Sequence, residues 1–445
     1  MPYILNTEKD TREMFGAIGI SSLDDLYRHL PGSIRINKNL NLPSGLSEQE
    51  LRNCLTALAA KNKTINKFNS FLGAGSYNHY IPAAINPIIS RTEFLTAYTP
   101  YQAECSQGIL QAIYEYQSYV CLLTGMDVSN ASLFDGGSSL AESVLMSLRI
   151  TKRNKIIISS SIHPEYKKTL YTYLSGFNFK VQEVNFESQG LTDINLLKAG
   201  LDDDTACVAL QSPNFFGIIE MTEKISSLAK ENGALTIQVT NPVSLAILKE
   251  PVRQGVDIVC GDGQALGGHL SFGGPSFGFI ATKNEFLRQL PGRIVGKSTD
   301  KEGKPAYCLT MQAREQHIKR EKATSNICSN QSLNAISAAV YLSLLGKEGL
   351  YNCALYSLNL THYFYARLSE IKSIKLNFSK HFFNEFVWSV DNPKALMKKL
   401  YKKEIIAGLA LDRFYPELKN GILSCCTEVK SKEQIDDFIE KLKTV

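Results

Sequence analysis

No pair of cysteines in this chain stands at CxxC spacing, and no Cys/His grouping has the spacing of a zinc site, although ten cysteines are present. A metal centre or a disulfide framework is therefore not expected. Nor is there a Lys/Arg-rich block: 48 basic against 43 acidic residues leave +5 over 445 positions, too diffuse a charge for a nucleic-acid partner. No apolar window reaches membrane-spanning length, and the opening MPYILNTEKDTREM lacks the apolar core of a secretory leader. The chain is expected to be cytoplasmic and reduced, without a membrane partner. Internal repeats and low-complexity tracts are also missing.

Such a length suits two globular domains and an arm. Residues 1–65 read as a helical arm, with Ser22 and Ser47 at cap positions three residues before Asp25 and Glu50. Residues 66–335 read as a large domain. In it, helix-like 109–125 is followed, after a Gly-Gly turn and two serines, by a helix with Leu140, Val144, Leu145 and Leu148 on one face. These precede the strands KIIISS, FKVQEVNF, TACVALQS, ALTIQVT and DIVCG, which alternate with helices near 164–175, 192–200, 219–232 and 243–249. That alternation predicts an α/β fold with a mostly parallel sheet, closed by SFGFIA as an antiparallel strand. Residues 291–331 read as a Gly/Pro/Lys loop and then a charged segment. Residues 336–445 read as a small α+β domain, with strands in KLNFSKHFFNEFVWSV and GILSCCTEV.

Four stretches bear on chemistry. DGGSSLAES places Gly136, Gly137 and Ser138 at a helix start, where N–H groups seat an anion; plain capping by serine is the alternative. His163 stands at a strand-to-helix loop, either facing a ligand or starting a helix with Pro164 at its first position. ALTIQVTN ends its strand without an acid. Finally, GDGQALGGHLSFGGPSFGFIA packs seven glycines into residues 261–281. Its GxGxxxG spacing, followed by a β-like run, is not a dinucleotide fingerprint. Between Cys260 and Ser276 there is no lysine; Lys249, Lys283 and Lys297 stand elsewhere.

FLGAGSYNHYIP, TAYTPYQAECSQG, LTGMDVSNASLFDGGSSLAES, GDGQALGGHLSFGGPSFGFIA and AREQHIKREKATSNICSNQSL together resemble the glycine-cleavage P-protein family, over nearly the whole length. More narrowly, they resemble its subunit 1, the α-type chain of the two-subunit form. The resemblance implies the fold of fold-type-I pyridoxal 5′-phosphate (PLP) enzymes. It also implies an oxidoreductase complex that decarboxylates glycine and passes the aminomethyl group to the lipoyl group of an H protein, with T and L proteins acting alongside.

By the same resemblance, PLP and its Schiff-base lysine belong to the β-type partner, subunit 2. None is bound covalently here, and no residue of this chain anchors it. Gly136, Gly137, Ser138, His163 and Gln264 then form a vestigial seat. Thr96, Tyr98, Thr99, Tyr101 and Gln102, with Ser271, Gly273 and Gly274, are the candidates for facing the partner's site. Arg314, His317 and Arg320 either hold an anion or belong to an ion-paired structural segment. A purely structural subunit and an independent PLP enzyme with an unrecognised lysine stand as alternatives.

Overall fold

The computed structural model describes residues 5–36, 38–65, 67–378 and 381–445. It divides into two compact units, Met1–Lys63 and Thr64–Val445. In the first, helices Glu8–Ile18 and Glu48–Ala59 begin at Thr7 and Ser47. Both carry full capping boxes, closed by Asp10 and Glu50. None of the described residues of this unit is buried; Leu23, Ile34, Leu42, Leu51 and Leu55 are all exposed. After Ser22, where the helical arm was expected to start a helix, there is only the 3-10 turn Leu23–Tyr27.

The second unit opens with a two-residue strand, β1 (Asn69–Ser70). Its main sheet uses, in chain order, β2 (Val128–Ser129), β3 (Lys155–Ser159), β4 (Lys180–Val184), β5 (Thr205–Gln211), β6 (Leu235–Val239), β7 (Ile258–Asp262) and β8 (Gly278–Thr282). Spatially the order is β2-β8-β7-β6-β5-β3-β4. Pairing from β4 to β7 is parallel, while β8 runs antiparallel to β7 and β2. The chemistry of a buried parallel sheet is legible in β3. Ile156 and Ile158 pack with Leu140 and Val144 of the helix Gly136–Thr151, whereas Ile157 joins Leu197, Val208 and Ile225 on the other face. Each such side chain contributes roughly 1.5–3 kcal/mol by leaving water.

Three local expectations are corrected. The stretch 243–249 holds only a 3-10 turn, Pro242–Ala246, started by Asn241, whose side chain caps Val243 N–H. Residues 291–331 contain a hairpin, β9 (Ile294–Thr299) and β10 (Pro305–Thr310). Its lysines mask an alternation in which Val295 and Leu309 are buried. In KLNFSKHFFNEFVWSV only β11 (Lys375–Leu376) and β12 (Glu385–Ser389) are strands, and residues 379–380 lie outside the described residues.

The C-terminal part carries a four-stranded sheet, followed by the helix Lys432–Lys443. β13 (Ile405–Ile406) pairs with β1, while β14 (Leu409–Ala410) and β15 (Gly421–Cys425) complete the order β11-β12-β15-β14. Between the two sheets runs the helix Ser332–Ser369, kinked at Gly346, whose φ of 61° favours glycine. Its first half puts Tyr341 into one core, and its second half puts Phe364 and Leu368 into another. No helix among the described residues is long and apolar enough to cross a membrane.

Candidate cofactor seat and partner-facing loops

The seat lies where the ends of β6 and β7 meet the N-terminus of the helix Gly136–Thr151. Asp135 caps that helix, accepting from Ser138 N–H at 2.7 Å. The Ser138 hydroxyl donates back to the Asp135 carbonyl at 2.9 Å, and Ser139 does so at 2.8 Å. Gly136 N–H points elsewhere, donating to Asp262 Oδ2 at 3.1 Å. Asp262 Oδ1 accepts from Gln264 N–H at 2.8 Å and from the Ser276 hydroxyl. Burial pushes the Asp262 carboxyl up to about 6, against the pull of these three donors.

Gln264 stands at the lysine's expected neighbourhood and is itself buried. Its Oε1 accepts from Tyr77 N–H at 2.7 Å, and its Nε2 donates to the Tyr77 and Gly268 carbonyls at 2.9 and 2.7 Å. The Tyr77 hydroxyl reaches Glu385 Oε2 at 2.7 Å, linking the seat to β12. His163 starts its helix: Nδ1 accepts from Glu165 N–H at 3.1 Å, and Nε2 donates to the Ala74 carbonyl at 2.9 Å. Its ring stacks on Tyr166 at 4.4 Å, and burial lowers its pKa. Tyr166 also presses on Gly136, where an added Cβ would lie 2.5 Å from the phenol oxygen.

At the end of β6, Thr240 donates to the Ser212 carbonyl at 2.9 Å and Asn241 caps its own turn; neither residue there is an acid. The space left among Tyr77, His163, Tyr166, Thr240 and Asp262 is about 30 Å³. That holds a water or two, whereas small-molecule sites start at roughly 300 Å³. PLP does not fit these residues: two of the donors at the helix end, the Gly136 and Ser138 N–H groups, are taken by carboxylates, and the volume is filled by the chain's own rings.

The loop expected to face a partner is on the surface. The Thr96 hydroxyl is spent on the Thr92 carbonyl at 2.7 Å, Tyr98 is 74% exposed, and Tyr101 N–H bonds the Thr99 carbonyl. Gln102 sits just before a 3-10 turn without capping it. Tyr101 is tethered by Arg293, which donates to its hydroxyl at 3.2 Å, and by the edge of His317. Arg293 is buried beside Glu315, with 3.9 Å between Nε and the carboxylate. Arg314 is turned inward, onto the carbonyls of Leu290 and Gly292, and Arg320 forms no ion pair among the described residues.

Ser271, Gly273 and Gly274 form an exposed turn around Phe272, with φ of 42°, 108° and 134° at the three positions. No hydrogen bond among the described residues joins this turn to the 96–102 loop. Asp262, Tyr166 and Arg293 escaped the sequence reading. Asp262 is visible in GDGQ, but its reach to Gly136, 126 positions away, is a product of the fold.

A family model for the glycine cleavage system P-protein matches residues 1–442. The probable glycine dehydrogenase (decarboxylating) subunit 1 of Carboxydothermus hydrogenoformans is 49% identical over 442 residues, covering 99% of each chain. A crystal structure of glycine decarboxylase (P-protein) of the glycine cleavage system, in inhibitor-bound form, matches with TM-score 0.91 and 40% identity over 100% of both chains. The sphingosine-1-phosphate lyase of Burkholderia pseudomallei matches at TM-score 0.67 and 14% identity, over 93% of this chain and 94% of that one, a likeness of fold alone. On full-length agreement in sequence and structure, the chain belongs to the glycine cleavage system P-protein family.

Proposed function

We propose that this chain is the α-type half of a glycine decarboxylase, completing an active site whose PLP and Schiff-base lysine belong to the β-type partner, subunit 2. The observation that carries this reading is the filled seat: Asp262, Gln264, Tyr77, His163 and Tyr166 bond to or pack on one another where a cofactor would lie. PLP held by the partner supplies the electron sink for decarboxylation. The lipoylated H protein receives the aminomethyl group, and the T and L proteins act beside it.

This chain's part is positioning. Tyr98, Thr99, Tyr101 and Gln102 offer hydroxyl and amide donors to the glycine carboxylate and shield it from water. The turn at Ser271, Gly273 and Gly274 offers backbone N–H groups to the partner's cofactor phosphate. Its positive φ angles and bare surface suit close approach of another chain. Arg293 fixes the first loop through Tyr101.

Tyr98→Phe and Thr99→Val in the reconstituted complex test the reading. Glycine–bicarbonate exchange is expected to fall at least about tenfold per lost donor, with assembly unchanged. A second reading, assembly without substrate contact, draws on Thr96, whose hydroxyl is already used inside its own turn. Unchanged exchange in both variants supports it.

A further inference from the structure

We infer that Asp262 is a built-in substitute for a cofactor phosphate, so that the vestigial seat is held shut by a carboxylate and not simply short of a lysine. Three features converge on it. The helix Gly136–Thr151 spans 16 residues, and its N-terminus carries the partial positive charge that binds anions. Two carboxylates already serve that end: Asp135 takes Ser138 N–H, and Asp262 takes Gly136 N–H.

Asp262 comes from a different strand, which makes its contact tertiary, whereas Asp135 is an ordinary cap. Asp262 also forms no ion pair with any Lys, Arg or His among the described residues. Its partners are the Gly136 and Gln264 N–H groups and the Ser276 hydroxyl. A buried carboxylate is costly unless something compensates its charge, and here the compensation is a helix end and three neutral donors. This is the kind of environment that otherwise receives a phosphate.

The consequence is specific. A second anion entering the seat meets like charge, with the Gly136 and Ser138 N–H groups already occupied. Restoring a lysine at Gln264 therefore leaves the seat closed while Asp262 remains. The inference rests on the reading that the partner holds the cofactor, and the experiment separates the two.

Binding of inorganic phosphate is measured by equilibrium dialysis at pH 7.5 on the full complex, with the partner's site saturated by PLP. Wild-type, Asp262→Ser and Asp262→Asn complexes are compared. Asp262→Ser removes the charge and opens space, and it is expected to bind one additional phosphate per chain, at least about tenfold more tightly than wild type. Asp262→Asn keeps the shape and is expected to stay closed.

Additional phosphate in the wild-type complex, or no gain in a folded Asp262→Ser complex, overturns the inference. Should Asp262→Ser assemble poorly, phosphate but not chloride at matched ionic strength is expected to restore it, and failure to restore counts against the inference. PLP taken up by the wild-type chain alone would instead overturn the underlying reading.

Discussion

The side-chain amide of Gln264 bridges the backbone of Tyr77 in both directions, accepting its N–H at 2.7 Å and donating to its carbonyl at 2.9 Å. A glutamine thus does the work of a paired strand residue, 187 positions away, and pins the segment before the 96–102 loop onto the end of β7. The Gln264 side chain is committed to these backbone contacts and to the Gly268 carbonyl.

Gln264→Ala leaves the Tyr77 N–H and carbonyl buried without partners. Stability of the chain is expected to drop by roughly 2–4 kcal/mol, since each orphaned group costs about 1–3 kcal/mol. Denaturant unfolding of the variant measures this. The PLP content of the complex, after correction for folded protein, is expected to stay the same.

Glu385 predicts a pH dependence. Burial pushes its carboxyl up to about 7, although Ala74 N–H and the Tyr77 hydroxyl pull it down. Between about pH 4.5 and 7 the folded chain keeps a proton that the unfolded chain has released. Stability therefore falls as pH rises through that window, by at most about 3 kcal/mol. Asp262, at about 6, adds to the lower part of the fall. Glu385→Gln is expected to flatten the slope, as read from thermal midpoints across pH 4.5–7.5.

Arg293 links the Tyr101 hydroxyl to the half-buried Glu315. Arg293→Met frees the loop and leaves Glu315 without its cation. Glycine exchange is expected to lose on the order of tenfold or more in kcat/KM. Arg293→Lys, which keeps the charge, is expected to recover part of it. A purely packing role would predict lost stability with no change in kinetics of the surviving complex.

The first unit carries Leu23, Ile34, Leu42, Leu51 and Leu55 exposed, and none of its described residues is buried. Removing residues 1–63 is expected to leave 64–445 folded, because that unit has its own cores. Association with the β-type subunit is expected to weaken by at least about tenfold, since apolar surface of this kind is covered in assemblies. Co-purification and analytical ultracentrifugation check both halves of the statement.

The sheet was legible because buried parallel strands write their chemistry as short apolar runs: Ile156–Ile158 and Val208–Leu210 are buried on both faces. The β9–β10 hairpin was not, since its exposed lysines break the alternation that Val295 and Leu309 keep. At the proposed seat, the sequence shows no lysine between Cys260 and Ser276 and no acid at the end of ALTIQVTN. What fills the seat was not legible, because Asp262 meets Gly136, and Gln264 meets Tyr77, only after the strands are ordered in space. Tyr166 is likewise ordinary in sequence and matters through its contact with Gly136.

Under the proposed function the cofactor of the complex is anchored on the β-type partner and not on this chain. Borohydride reduction of the reconstituted complex, followed by peptide mapping, locates it. All of the pyridoxyl label is expected on one lysine of the β-type partner, with none on this chain in the complex or when isolated. Stoichiometric label on a single lysine of this chain would overturn the proposed division of roles.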